Sequence, residues 1–126
     1  MNDITSSASG DAQIVTAVMD RWRQGIDSGR PDTVSALFTT DALFQGLRPQ
    51  PLHGRDGVAE YYSAQPPGLR ARYTIVQTKR PADSVVVAYL DAEFEFSEGT
   101  VIPAHLTVVM VAAGAEWLIT HYHVSR

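Results

Sequence analysis

The chain of 126 residues contains no cysteine, which excludes disulfides, thiol nucleophiles and thiolate metal ligands and fits a reducing compartment. It also has no block of basic residues, and its net charge of −4 argues against a nucleic-acid partner. No apolar run is long enough to span a membrane, and the polar N-terminus "MNDITSSASG" lacks the apolar core of a signal peptide. We therefore expect a cytoplasmic protein that binds neither nucleic acid nor membrane.

Short motifs for cofactor chemistry are missing as well. The sequence has no Gly-rich phosphate loop, no G-x-S-x-G elbow and no H-E-x-x-H pair. His121 and His123 stand two apart near the end of the chain, a spacing at which both imidazoles can bind zinc. A third ligand is not obvious, because His53 falls in a loop and strand parity places His105 on the opposite face of a sheet. We expect no cofactor and no metal.

Hydropathy patterns divide the chain into a tail and one domain. Residues 1–10 are rich in Ser, Asn and Gly and predict a flexible tail, whereas residues 11–126 have the length and composition of a single domain. Apolar residues from Ile14 to Ile26 recur at three- and four-residue spacing, which predicts a helix capped by Asp11 and ended by Gly29. Further helices are predicted over 31–38, with Pro31 at the first position, and over 54–65, before two prolines.

Strand patterns occupy the rest of the chain. The segment "DALFQG" predicts a short strand between the second and third helices. Four alternating segments follow, at residues 71–80, 84–97, 101–112 and 116–125. This order predicts an α+β fold, in which three N-terminal helices pack on one face of a curved, mainly antiparallel sheet.

Two segments resemble a known family. The words "LFTTDALFQG" and "PLHGRDGVAEYY" resemble the helix–strand–loop–helix segment of the nuclear-transport-factor-2-like superfamily. The ending "WLITHYHVSR" resembles the W-x-x-x-H-x-H-x-S ending of SnoaL-like domains, and also that of the calcium/calmodulin-dependent kinase association (hub) domain. Over residues 11–126 the chain is similar to small bacterial proteins of the SnoaL-like and SgcJ/EcaC types. The resemblance implies a cone-shaped fold with an internal pocket, in a superfamily that holds isomerases, cyclases, dehydratases, hydrolases and binders.

Strand parity assigns the side chains of the last hairpin to two faces. With a two-residue turn at Ala113-Gly114, His105 pairs with Tyr122 and Thr107 pairs with Thr120. These four side chains are expected in the cone interior, although a three-residue turn would shift the pairing. The opposite face then carries Val108, Met110, Trp117, Ile119, His121 and His123. Because that face is apolar too, we expect a second copy to cover it in a homodimer, as the resemblance also implies.

The strand predicted over residues 84–97 carries acids that alternate with apolar residues, a pattern typical of a solvated face: Asp91, Glu93 and Glu95. A two-residue turn at Glu98-Gly99 would pair Ala92 with His105 and keep the acids on the outer face. Catalytic work by paired carboxylates is the alternative interpretation.

His105 is the candidate general acid/base of the interior, because an imidazole titrates near neutral pH. Tyr62 and Tyr122 are expected to act with it, by orienting a substrate or stabilising an enolate oxygen. Further substrate contacts are expected from Trp22, Phe44, Phe94, Thr107 and Thr120. The alternative is that His105 and the aromatic residues are ordinary core side chains.

Ketosteroid-isomerase-like members of the superfamily offer a check, position by position. The resemblance places their general-base aspartate at Gly46 and their first-helix tyrosine at Trp22, whereas the third-helix tyrosine is retained as Tyr62. The catalytic base of those members is therefore missing, and isomerisation by their machinery is not expected.

Three functions follow as hypotheses. The first is a cofactor-independent cyclase, isomerase or dehydratase that acts by acid/base catalysis on an aromatic or polyketide-like small molecule. The second is a non-catalytic binding protein for a hydrophobic pathway intermediate. The third is an oligomerisation domain like the kinase hub, which predicts a ring larger than a dimer.

Overall fold

In the computed structural model, the backbone is described for residues 2–126 and the side chains for residues 10–126. The elements follow in the order α1 (Asn2–Asp27), α2 (Pro31–Ser35), β1 (Phe38–Gln45), β2 (Leu52–His53), α3 (Gly54–Ser63), β3 (Arg70–Ala82), β4 (Val85–Glu95), β5 (Val101–Ala113) and β6 (Glu116–Ser125). No helix in the described range is long and apolar enough to cross a membrane.

Helix α1 begins at Asn2, so the prediction that Asp11 caps it is wrong. Asp11 lies inside the helix and is buried, and its carboxylate accepts a hydrogen bond from Arg80 Nε at 2.8 Å. The predicted flexibility of residues 1–10 stays a prediction, because nearly all of their side chains lie outside the described part of the structure. The end of the helix is confirmed: Gly29 has φ 65°, and the Arg30 N–H donates to Gly25 O at 2.9 Å in a Schellman turn.

The six strands form one sheet in the order β2-β1-β6-β5-β4-β3. Only the β1–β6 pair is parallel, so the predicted α+β fold with a mainly antiparallel sheet is confirmed. The helices cover one face of the sheet, called here the inner face, because α1 packs on β3 and α3 packs on β1. Strand β2 was not predicted, since its two residues follow a loop with two prolines.

The β4–β5 hairpin has a three-residue turn, Ser97–Gly99, instead of the predicted two-residue turn. Phe96 N–H donates to Thr100 O at 2.8 Å, and Gly99 takes a positive φ of 104°. The pairing therefore shifts by one residue, and Asp91 rather than Ala92 stands opposite His105. Because side chains alternate with a period of two, this shift turns His105 to the outer face, where the acids also lie.

The β5–β6 hairpin turns at Gly114-Ala115 and contains a β-bulge. Ala113 pairs with Glu116, and Met110 pairs with Ile119, but Val109 pairs with His121. The extra residue on β6 is Thr120, and it reverses the faces of everything that follows it.

Together the turn and the bulge redistribute the residues of the last hairpin. His105 and Thr107 lie on the outer face with His121 and His123, so their predicted place in the interior is wrong. Tyr122 faces the interior as predicted, at 2% exposure.

The residues predicted to carry the dimer face are divided in the same way. Val108, Met110 and Ile119 are fully buried against the helices, so their assignment to the outer face is wrong. Trp117 also lies on the inner face, so its assignment to the outer face is wrong as well; the Arg80 guanidinium lies 5.5 Å from the centre of its ring. Of that set, His121 and His123 remain on the outer face.

Candidate functional site

A chain of hydrogen bonds links three aromatic side chains in the interior. Trp22 comes from α1, Tyr62 from α3 and Tyr122 from β6, and all three are buried. The Trp22 Nε1–H donates to Tyr62 Oη at 3.1 Å, and the Tyr62 hydroxyl donates to Tyr122 Oη at 3.4 Å. The sequence-predicted pair Tyr62 and Tyr122 is therefore brought together, with the Trp22 indole as its third member.

The hydrogen-bond chain has more polar hydrogens than oxygens to accept them. Three polar hydrogens share two hydroxyl oxygens, so one hydroxyl hydrogen has no acceptor within the chain. Beside it lies a cavity of about 10 Å³, whose wall includes Tyr62, Gln65, Leu69 and Tyr122. A cavity of that size holds about one water, which is the simplest acceptor for the remaining hydrogen.

The three tyrosines nearest this cavity are held in their neutral form. Burial raises the pKa of Tyr62 and of Tyr122 well above the usual tyrosine value, and burial raises the pKa of Tyr61 as well. At neutral pH these side chains are hydrogen-bond donors and cannot serve as general bases.

The aromatic residues predicted to line a substrate pocket pack against one another instead. The rings of Phe44 and Tyr122 stack with centroids 4.5 Å apart, and Trp22 meets Phe94 edge to face at 6.0 Å. Trp22, Phe44 and Phe94 are at most 4% exposed. Because these three side chains are closely packed, the structure does not support their expected role in substrate binding. They form the core of the cone.

Tyr61 closes the interior on the side of the loop after β1. Its Oη accepts the Leu47 N–H at 3.0 Å, and the Arg48 guanidinium lies 5.6 Å from the ring centre. A Cβ at Gly46 would stand 2.5 Å from the Tyr61 ring. An aspartate at position 46, where the resemblance to ketosteroid-isomerase-like proteins places their base, would therefore require Tyr61 to move.

His105 lies outside the interior in a different environment. Its Nδ1 is 3.0 Å from Asp91 Oδ1, and the two side chains are 76% and 61% exposed. Thr107 lies on the same outer face, paired with Tyr89 and His123. Thr120, at the bulge, is half-buried, and its hydroxyl accepts a hydrogen bond from Thr39 Oγ1 at 3.2 Å. None of these three side chains joins the tyrosine chain, so the interior acid/base expected from His105 is not formed.

The interior contains few ionisable groups. Among the residues with described side chains, Asp11 is the one buried carboxylate, and it is paired with Arg80; no histidine is buried. The same residues contain no cluster of three or more side chains that could hold a metal ion.

An open pocket of about 250 Å³ lies where the C-terminal ends of α1 and α3 meet the loop before β3. We call it the helix-end pocket. Its apolar floor is formed by Ile26, Val34, Tyr62 and Leu69, and its polar wall by Asp27, Arg30, Ser63 and Gln65. Tyr62, Gln65 and Leu69 also line the small internal cavity, so the pocket adjoins the buried hydroxyl chain. Sequence reasoning missed the pocket and Tyr61; the glycines and prolines at 25–31 and 66–68 were the available signal.

Comparison with known proteins identifies the family. Residues 15–126 match the SnoaL-like domain family, so the chain belongs to that family, as the sequence predicted. No curated protein sequence matches the chain.

Solved structures confirm the fold. A nuclear-transport-factor-2-like protein of unknown function from Shewanella oneidensis MR-1 has a TM-score of 0.80 at 12% identity, over 91% of this chain and 98% of that one. A protein from Novosphingobium aromaticivorans, provisionally named a scytalone dehydratase, has a TM-score of 0.77 at 12% identity, over 95% and 86%. A domain from Thiobacillus denitrificans, provisionally named a calcium/calmodulin-dependent protein kinase type II association domain, has a TM-score of 0.75 at 20% identity, over 86% of this chain and 91% of that one. At such identities the likeness concerns the fold alone.

Proposed function

We propose that this SnoaL-like protein is a non-catalytic binding protein for a small molecule with a hydrophobic or aromatic body, which occupies the helix-end pocket. The observation that carries the proposal is the contact between that pocket and the buried tyrosine chain through Tyr62. A ligand seated there meets an apolar floor, a phenol ring and a few polar groups, as small-molecule sites typically provide.

The chemistry around the pocket supports binding over acid/base catalysis. A cyclase, isomerase or dehydratase of this type needs a group that can remove a proton from the substrate and a group that can supply one. The buried tyrosines are protonated at neutral pH, so they could supply a proton as an acid but not remove one as a base. Asp27 is exposed, and its Oδ1 already accepts the Ala71 N–H at 2.9 Å. His105, the expected acid/base, lies on the outer face of the sheet.

The test is an NMR screen of the ¹⁵N-labelled protein against a library of small aromatic and apolar compounds. Binding should move the amides of Gly29 and Gly68, which lie in the pocket wall. Ser63→Trp, which fills the exposed mouth of the pocket, should abolish those shifts. Glu60→Trp, one turn earlier on the exposed side of α3, is the matched control and should bind normally.

The same sample separates binding from catalysis. We expect the bound compound to be recovered unchanged by mass spectrometry after long incubation. A product with new or missing bonds, formed by the wild type and not by Ser63→Trp, would refute the binding-only function and favour the cyclase, isomerase or dehydratase alternative.

We also propose that the outer face of the sheet pairs two copies in a homodimer. The large apolar side chains that are exposed in the described part of the chain all belong to this face: Leu43, Val76, Tyr89 and Val101. Their exposure ranges from 42% to 58%. Exposed apolar surface that collects on one face is typical of an interaction site.

Light scattering tests the dimer. Tyr89→Lys should convert a dimer to a monomer, whereas Gln24→Lys, on the exposed side of α1, should leave the mass unchanged. A wild-type monomer would refute the proposal, and a ring larger than a dimer would favour the hub-like alternative.

A further inference from the structure

We infer that the helix-end pocket takes a compact zwitterion, of the class of a free α-amino acid with an apolar or aromatic side chain. This inference rests on the proposed function, because it names the ligand of the same pocket. It is carried by four features that meet there: two helix C-termini, one carboxylate and one guanidinium.

The side of the pocket formed by the helix ends favours a positive group. The last residues of α1 (Gly25–Asp27) and of α3 (Tyr62–Ser63) both line it, and neither helix has a basic residue in its last turn. The negative ends of two helix dipoles therefore converge on this side of the pocket, where Arg30 is the one basic residue in the wall. The Asp27 carboxylate adds a full negative charge at the same place, and one of its oxygens remains available beside the bond to Ala71. An ammonium group is the matching ligand chemistry.

The opposite charge is present on the same wall. Arg30 closes the Schellman turn with its N–H, is exposed, and belongs to the pocket wall, so its guanidinium can reach a ligand there. No salt bridge joins Asp27 to Arg30, whose side chains both lie in the described part of the chain. A guanidinium binds a carboxylate with two parallel hydrogen bonds. A ligand that carries both an ammonium and a carboxylate would satisfy both residues, whereas a simple amine or acid would satisfy one and meet the like charge of the other.

The size and floor of the pocket define the rest of the ligand. Its volume of about 250 Å³ is smaller than the roughly 300–1,000 Å³ typical of sites for drug-sized ligands. Ile26, Val34 and Leu69 give the floor an apolar surface, and Tyr62 adds an aromatic ring. An apolar or aromatic side chain fits this floor, whereas a second charged group would be buried against it without a partner.

The experiment uses four probes on the full-length protein: L-phenylalanine, L-leucine, L-phenylalaninamide, which lacks the carboxylate, and N-acetyl-L-phenylalanine, which lacks the ammonium. In an NMR titration at pH 7, we expect at least one free amino acid to move the amides of Gly29 and Gly68. We expect each capped compound to bind at least about tenfold more weakly. Equal affinity of the free and capped compounds would refute a zwitterion site.

Two variants locate the charges. Asp27→Asn keeps an oxygen for the Ala71 N–H and removes only the charge, and Arg30→Gln removes the guanidinium from an exposed position. Each should weaken the best amino acid by about tenfold or more. Glu98→Gln and Lys79→Gln remove the same charges at exposed sites outside the pocket and should not change its affinity. If neither Asp27→Asn nor Arg30→Gln weakens binding, the assignment is wrong.

The screen of uncharged aromatic compounds separates this inference from the proposed function. Uncharged compounds that move Gly29 and Gly68 while every amino acid fails would refute the zwitterion and leave small-molecule binding intact. Failure of both sets of compounds at these amides would refute both.

Discussion

Replacing Tyr62 with phenylalanine should destabilise the protein more than the same change at Tyr122. The reason is the order of the hydrogen-bond chain, in which Trp22 donates to Tyr62 and Tyr62 donates to Tyr122. Tyr62→Phe removes the acceptor of the indole N–H and leaves two buried polar hydrogens without a protein acceptor. Tyr122→Phe leaves one, the number already present in the wild type, because Tyr62 still accepts from Trp22.

The difference can be given a magnitude. An unpaired buried donor costs about 1–3 kcal/mol, so Tyr62→Phe should lower the free energy of unfolding by that amount. Tyr122→Phe should cost less than about 1 kcal/mol. With an unfolding entropy of about 2.1 cal/mol/K per residue, 1 kcal/mol corresponds to roughly 4 °C in Tm for a chain of 126 residues. The expected decreases are therefore about 4–12 °C for Tyr62→Phe and under about 4 °C for Tyr122→Phe.

The assay is urea unfolding followed by far-UV circular dichroism, together with calorimetry, at pH 7. Thr33→Val, which removes an exposed hydroxyl on α2 away from the outer face, is the control and should be close to neutral. If Tyr122→Phe is as costly as Tyr62→Phe, the indole does not depend on Tyr62 and the hydrogen count given above is wrong.

Three further outcomes are expected. Leu106→Ala should cost about 2–5 kcal/mol in urea unfolding and His105→Ala less than about 0.5 kcal/mol, and the reverse order would show that the faces of β5 are misassigned. Gly46→Ala should be destabilising because its Cβ would meet the Tyr61 ring at 2.5 Å, and Gly46→Ala combined with Tyr61→Ala should be less destabilised than the sum of the single changes. Burial raises the pKa of Tyr73 to about 12, so the folded state retains a proton that the unfolded state releases near pH 10. The free energy of unfolding should therefore fall as the pH rises from 10 towards 12. Tyr73→Phe should reduce that fall in urea titrations at alkaline pH.

The elements of this fold could be predicted from hydropathy, but the faces of the last two strands could not. Strand β6 was predicted with its observed bounds, 116–125, because its alternation is flanked by clear turn residues. On β5, Leu106 and Val108 face the helices, yet Thr107 and Val109 on the other face are equally good strand residues. Hydropathy therefore could not choose between the two faces.

The residues assigned to the candidate site depended on which face of β5 points to the helices. A single extra residue in the turn at 97–99 moved His105 outward, and the bulge at Thr120 kept Tyr122 inside. The family resemblance predicted Tyr62, and strand parity predicted Tyr122, as interior residues that act with His105; the two tyrosines do meet in the interior. The helix-end pocket depends on where two helices stop in space, which no local pattern in the sequence specifies.

The position of β6 in the sheet has a consequence for synthesis. Strand β1 is joined to the rest of the sheet only through β6, and residues 46–115 lie between them in the chain. At roughly 5–20 residues per second, a ribosome needs about 4–14 s to make that interval. During this time Phe38 and Phe44, which are buried in the finished protein, have no β6 to pack against. The nascent chain should therefore expose β1 to chaperones until its final strand emerges, and folding should complete only after translation has passed residue 125.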